Sequence, residues 1–132
     1  MIKLSKKWDY GLKAMVYLAK SQKDLVKISE ISQDLHISEG FLRRIINDLE
    51  KSQLIFTLKW RNWGVRLGKI PEKICLYDIF FSLWEELHIT DCTAWVYCEN
   101  KQNCITTDVL WWLQKWFNTL LHLYTLDKII KK

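Results

Sequence analysis

Residues 28–51, ISEISQDLHISEGFLRRIINDLEK, decide the fold. They hold two helix-forming segments on either side of a short break. In the first, Ile31 and Leu35 supply a four-residue apolar spacing, and Ser29 is placed to cap the start. His36-Ile37 then turns the chain into Ser38, a second good N-cap. From Glu39 to Lys51, Phe41, Leu42, Ile45, Ile46 and Leu49 fall on one face of a helix. Glu39, Gly40, Arg43, Arg44, Asn47 and Asp48 fall on the other. Two short helices with a tight turn, the second carrying Arg and Asn outward, describe a helix-turn-helix. Such a second helix fits a major groove, where Arg pairs with guanine edges and Asn with adenine. For this segment alone, a solvated amphipathic helix with ordinary surface charges competes with that reading.

The next segment favours DNA. Leu54 to Leu58 and Val65 to Gly68 are two short β-prone runs around a basic turn, Lys59-Trp60-Arg61-Asn62-Trp63-Gly64. A hairpin straight after a helix-turn-helix is a wing, and Lys59, Arg61, Arg66 and Lys69 would line it and reach phosphates or a minor groove. Ahead of the motif, residues 5–20 read as a first helix, with Ser5 as N-cap and Leu12, Met15, Val16 and Ala19 as its buried stripe. The fold class expected is mainly α with a small β-hairpin wing. Residues 1–70 form the winged helix-turn-helix DNA-binding domain. Residues 71–132 carry a cysteine loop and a long dimerisation helix within one compact chain.

Charge divides along the same line. Residues 1–70 hold 14 Lys and Arg against 7 Asp and Glu, a net +7, while residues 71–132 hold 6 against 8, a net −2. A basic half joined to a mildly acidic one suits a nucleic-acid-binding module with a non-binding partner segment. No run approaches the ~20 apolar residues of a membrane span. The basic start lacks the apolar region and cleavage site of a secretory signal, so the expected location is cytoplasmic. There is no nucleophile–base pairing, phosphate-binding glycine loop or paired-carboxylate motif, which argues against an enzyme and a small-molecule substrate.

After Pro71, residues 74–83 read as a buried helix in which Cys75 is a core thiol. The polar stretch 91–108, DCTAWVYCENKQNCITTD, then sets Cys92, Cys98 and Cys104 six residues apart twice over. Thiolates hold zinc or iron–sulfur centres, and three in one loop can converge on such a centre if a fourth ligand comes from elsewhere. The spacing is not a standard zinc pattern; a disulfide plus a spare thiol, or three ordinary cysteines, stay open. Beyond the loop, Val109, Leu113, Trp116, Phe117, Leu120, Leu121 and Tyr124 form a stripe too wide and aromatic for an isolated helix, which favours a partner helix. Thr125 is placed to cap a last turn, Leu126 to Ile130.

Several stretches together resemble the Rrf-type winged-helix iron–sulfur regulators, the family of IscR and NsrR. They are DYGLKAMVYLA (9–19), ISEI (28–31), HISEGFL (36–42), RNWGVRLGK (61–69), the D-C-x5-C-x5-C of 91–104 and YTLDKI (124–129). The resemblance spans nearly the whole chain in the right order. It implies a homodimer crossed through the long helix, bound to a palindromic site in double-stranded promoter DNA. It also implies an iron–sulfur cluster, 4Fe–4S or 2Fe–2S, near the junction of the two halves, held by Cys92, Cys98 and Cys104. The IscR-like histidine three positions after the last cysteine is replaced here by Thr107. The NsrR-like ligand, an aspartate in a D-Y-G-L stretch of the first helix, is matched by Asp9. In a symmetric dimer that Asp9 would come from the other subunit. Asp9 as a first-turn acid favoured by the helix dipole is the competing reading; Asp108, His88 and His122 are weaker candidates. DNA contacts are expected from Ser38, Glu39, Arg43, Arg44, Asn47, Lys59, Arg61 and Arg66.

The expected function is a DNA-binding transcription regulator whose cluster senses nitric oxide, redox state or iron status. The alternatives are a cluster-free regulator using its thiols as a redox switch, and a structural zinc site. One compositional oddity accompanies this. The chain has 8 Trp and 4 Gly, where ordinary usage of roughly 7 % would give about nine glycines. Trp60 and Trp63 stand where the family usually has glycine, and Trp8 where many members do. A codon written as tryptophan but read as glycine in the source organism would explain all three.

Overall fold

The computed structural model describes residues 5–59, 64–84 and 88–131. Trp60, Arg61 and Trp63 lie outside the described residues. Helix α1 (Lys6–Lys20) starts where Ser5 accepts the Trp8 N–H at 3.2 Å. A two-residue strand β1 (Val26–Lys27) leads directly into α2 (Ile28–Leu35). Lys27 therefore occupies the N-cap, without a side-chain bond, and Ser29 lies inside the helix, contrary to its expected capping role. Helix α2 ends on His36 at φ 56°, and the Ile37 N–H returns to the Ser32 carbonyl at 3.1 Å. That left-handed residue turns the chain tightly enough for α3 (Glu39–Lys51) to pack across α2.

Strands β2 (Ile55–Leu58) and β3 (Gly64–Leu67) form the expected hairpin, with Ile55 opposite Leu67 and Leu58 opposite Gly64. β1 adds to the far side of β3, giving an antiparallel three-stranded sheet in the order β1-β3-β2. Gly68 closes the hairpin against the turn between α3 and β2: its N–H donates to the Leu54 carbonyl at 2.9 Å, and a Cβ there would come within 2.4 Å of the Gln53 carbonyl oxygen.

One core runs through both halves of the chain. Ala14 and Met15 of α1, Ile31 of α2, and Leu42, Ile45 and Leu49 of α3 pack with Ile55 and Val65 of the sheet. Ile74, Ile79, Leu83 and Leu126 from beyond residue 70 join the same cluster. Each such side chain larger than Ala14, withdrawn from water, contributes about 1.5–3 kcal/mol before chain entropy is set against it. The helix read over 74–83 is shorter than its apolar run suggests: α4 spans Leu76–Ser82. Ile74 and Cys75 are extended instead, because Cys75 pairs with Thr125 in an antiparallel bridge. The Leu76 N–H donates to Tyr124 at 2.9 Å, and the Leu126 N–H to Ile74 at 2.7 Å. This clamp fastens the turn between α5 (Thr107–Leu123) and α6 (Leu126–Ile130) to the start of α4. Cys75 is buried, in keeping with a core thiol.

Candidate nucleic-acid interface and cysteine loop

Helix α3 turns its apolar face inward and leaves Ser38, Glu39, Arg43, Arg44 and Asn47 exposed. The Ser38 hydroxyl accepts the Phe41 N–H at 3.4 Å, so it starts the helix as well as lying on its outer side. One turn on, Arg43 pairs with Glu39 at 2.8 Å. Arg43, Arg44 and Asn47 line a groove of about 310 Å³ between α3 and β2, with Lys59 on its far wall. Four sequence-predicted DNA residues are thus brought together in one concavity. Arg66 sits apart, on the outer face of the hairpin, its guanidinium 4.8 Å from the Phe56 ring opposite it. Arg61 lies outside the described residues.

The link from α1 to this face was not anticipated. Lys7 pairs with Asp48 of α3 at 2.8 Å, and Tyr10 meets Phe41 edge-on with ring centres 5.7 Å apart. These contacts flank Asp9, whose half-exposed carboxylate pairs with Lys13 at 2.8 Å.

Between α4 and α5 the described loop begins at residue 88 and makes one 3-10 turn, Asp91–Ala94. Cys92 is half-buried, with its sulfur 3.0 Å from the Thr90 hydroxyl. Cys98 is exposed. Both line a hollow of about 500 Å³ together with Trp95, Tyr97, Glu99 and Lys101. Cys104 lies outside that hollow, near the start of α5, with the Thr106 hydroxyl 3.3 Å from its sulfur. Hydrogen bonding from Thr106, then Thr107, lowers its thiol to about 7. The thiolate is the form that binds metal and the form that attacks oxidants. All four cysteines are free thiols, so the disulfide reading does not describe this conformation.

Among the described residues no three His, Cys, Asp or Glu side chains are gathered to hold a metal ion. The donor chemistry of the loop, three thiols of which one is acidified, fits a thiophilic centre. Of the weaker candidates, His122 has a ring nitrogen 2.7 Å from the Asn118 carbonyl and stacks on Tyr77, while Asp108 lies exposed in the first turn of α5.

Helix α5 divides the predicted stripe. Leu121 is buried within the chain on the side packed against α4, and Leu113, Phe117 and Leu120 are half-buried. Val109 and Trp116 point outward, joined by Trp112 and Leu123, which the sequence reading left out; all four are more than half exposed. Tyr124 is exposed just past the helix. Sequence reasoning also missed Gln114, a polar residue in an apolar run. Its buried amide accepts the Ile89 N–H at 2.8 Å and donates to Asn118 at 3.0 Å, tying the loop to α5.

Residues 4–132 match a family described as "Rrf2: Iron-dependent Transcriptional regulator". The chain belongs to the Rrf2 family. Its members are transcription regulators, not enzymes, and the Rrf2 winged-helix fold is the one seen here. Over 109 residues, 82 % of this chain and 73 % of the other, it is 30 % identical to the HTH-type transcriptional regulator NsrR of Bacillus licheniformis. Among solved structures it resembles T. potens IscR at 25 % identity, with a TM-score of 0.76 over 98 % of this chain and 87 % of the other. It also resembles CymR, the global cysteine regulator of B. subtilis, at 23 % identity and a TM-score of 0.79, covering 99 % and 98 % of the two chains; at that identity the likeness bears on fold alone. No helix among the described residues is long and apolar enough to cross a membrane.

Proposed function

We propose that the chain acts as a homodimer on a palindromic promoter site, and that an iron–sulfur cluster on its cysteine loop governs that binding. The observation that carries this is the loop itself: three free thiols within one segment, in a chain of a family described as iron-dependent. Cys92, Cys98 and Cys104 would hold the cluster, with Asp9 of a second copy as fourth ligand; the resemblance carried by the D-Y-G-L stretch at 9–12 favours that choice over the residue at Thr107. When bound, the cluster supplies iron that nitric oxide, oxidants or iron shortage can remove or modify.

The chain's own contacts account for transmission. Gln114 holds the start of the loop to α5, so a change in the loop reaches the helix whose outward stripe would face the second copy. Asp9 sits between Lys7 and Tyr10, both in contact with α3, so releasing it frees the helix that braces the recognition face. Half-site spacing on DNA is geometric, and a small reorientation of two recognition helices costs several kcal/mol of specific binding. The coupling is reciprocal: the cluster can raise DNA affinity only by as much as DNA raises cluster affinity.

Anaerobic reconstitution with ferrous salt and sulfide, followed by absorption spectroscopy and promoter titration of holo and apo protein, tests this. A coloured holo protein with an altered affinity supports the proposal; equal affinities remove the sensing role. Protein that stays colourless and binds DNA according to its thiol oxidation state would favour the cluster-free thiol switch, to which the acidified Cys104 is suited. A colourless protein with bound zinc would favour the structural metal site.

A further inference from the structure

Four non-glycine residues among those described adopt left-handed backbone, His36, Gln53, Trp84 and Trp95, while no glycine does. Histidine is among the types found there. Tryptophan is not, and it occurs twice, at φ 60° and 63°. Both positions end a helical turn. Trp84 follows the last residues of α4, its N–H donating to the Phe81 carbonyl at 3.1 Å. Trp95 closes the 3-10 turn, its N–H returning to Asp91. A helix that ends on a left-handed residue usually does so on glycine, because a Cβ there crowds the following carbonyl. Burial does not compensate, since the two side chains are 78 % and 77 % exposed. Trp95 meets Trp111 edge-on at 5.3 Å and carries Lys101 above its ring.

We infer that the natively made protein carries glycine at positions 84 and 95, the source cell decoding as glycine a codon written here as tryptophan. Two codons can be written as tryptophan: UGG, and UGA where that stop is reassigned. A cell that reads UGA as glycine converts only the UGA positions, so true and false tryptophans coexist in one written sequence. This explains why tryptophans outnumber glycines. It rests on two positions distinct from those singled out by composition and resemblance. Trp8 differs from them: it is helical and stacks on Phe80 at 4.1 Å, so its backbone makes no demand for glycine. Trp112 and Trp116 are ordinary helical positions. Glycine at 95 would also remove a ring that lines the hollow beside Cys92 and Cys98.

The gene and the native protein decide the matter. Codons 84 and 95 should be UGA and codons 112 and 116 UGG, and peptide mass spectrometry of protein isolated from the source cell should find glycine at 84 and 95. UGG at either position, or a native peptide with the mass of tryptophan there, overturns the inference. Independently, the full chain carrying Trp84→Gly and Trp95→Gly should have a folded-to-unfolded ratio roughly tenfold above that of the tryptophan form, the net of relieved strain and glycine's greater freedom when unfolded. An unchanged or lower ratio contradicts the demand for glycine at these turns.

Discussion

At Cys104, the Thr106 hydroxyl lies 3.3 Å from the sulfur and with Thr107 lowers the thiol to about 7. A hydroxyl donating to sulfur favours the anion, so its removal should raise the pKa. Alkylation of Cys104 in the apo protein, followed site by site by mass spectrometry, is expected to rise with a midpoint near pH 7. In Thr106→Val the midpoint should move up and the rate at neutral pH fall; an unmoved midpoint would contradict the assigned cause. Gly68 presents a steric demand rather than an electrostatic one. Its missing Cβ would lie 2.4 Å from a backbone oxygen that no rotamer change can move. Gly68→Ala is therefore expected to destabilise the fold by about 1–3 kcal/mol, seen in urea as a lower midpoint with the slope unchanged. The sequence places Gly68 at the end of a β-prone run, but its collision partner, Gln53 in the turn after α3, is visible only in three dimensions.

Among the elements, α3 was the most legible. Its bounds, Ser38 cap and buried face all follow from residues within one turn of each other, and the structure reproduces them. Arg44→Ala, on its exposed face, should weaken promoter binding by about 1–3 kcal/mol if it reads a base edge. If it meets only phosphate, the loss should be uniform across sequences, with the salt slope reduced by about one. Unchanged binding would move the contact surface elsewhere. Strand β1 was not legible: Val26-Lys27 is two residues long and exists because β3 pairs with it. Ile74 and Cys75 were misassigned for the same reason, since an apolar run shows that a segment is buried but not whether it coils or pairs with Thr125. Gln114 lies between these cases. A lone amide in an apolar helix is a signal, but its partner, the Ile89 N–H, is distant in sequence. Gln114→Leu leaves that donor without its acceptor and should cost about 1–3 kcal/mol. Faster amide exchange of residues 88–94, with α3 unaffected, would locate the damage in the loop; exchange unchanged there would show that the bond does not hold it.

For the whole molecule, the outward side of α5 is a face that its own chain leaves uncovered. Val109, Trp112, Trp116 and Leu123, each more than half exposed, fall on one side of α5 and are left in water by a lone chain, and grouped exposed apolar side chains of this kind mark an interaction site. Because Trp116 is more than half exposed, Trp116→Glu should leave the fold intact; if the proposed dimer forms through this face, the solution mass in sedimentation should fall from dimer to monomer, and promoter affinity should fall as the second half-site is lost. A variant that remains dimeric would place the interface on another surface. Asp9, which the proposed centre draws from a second copy, is exposed to the same test, since a monomer would retain the three thiols without it.

A helix-turn-helix and wing in a basic first half, three thiols in one loop, and a long aromatic helix after it can all be read from the order of residues. Those features rest on caps, on 3.6- and 2-residue periodicity and on local charge, all readable from near neighbours. Three features emerge from the folded chain instead: Arg43, Arg44, Asn47 and Lys59 line one groove, Cys104 stands outside the hollow of Cys92 and Cys98, and α5 buries Leu121 while turning Trp112 and Trp116 outward. Each of these depends on which distant segments meet, and periodicity along a chain reports that a face is apolar without naming what covers it.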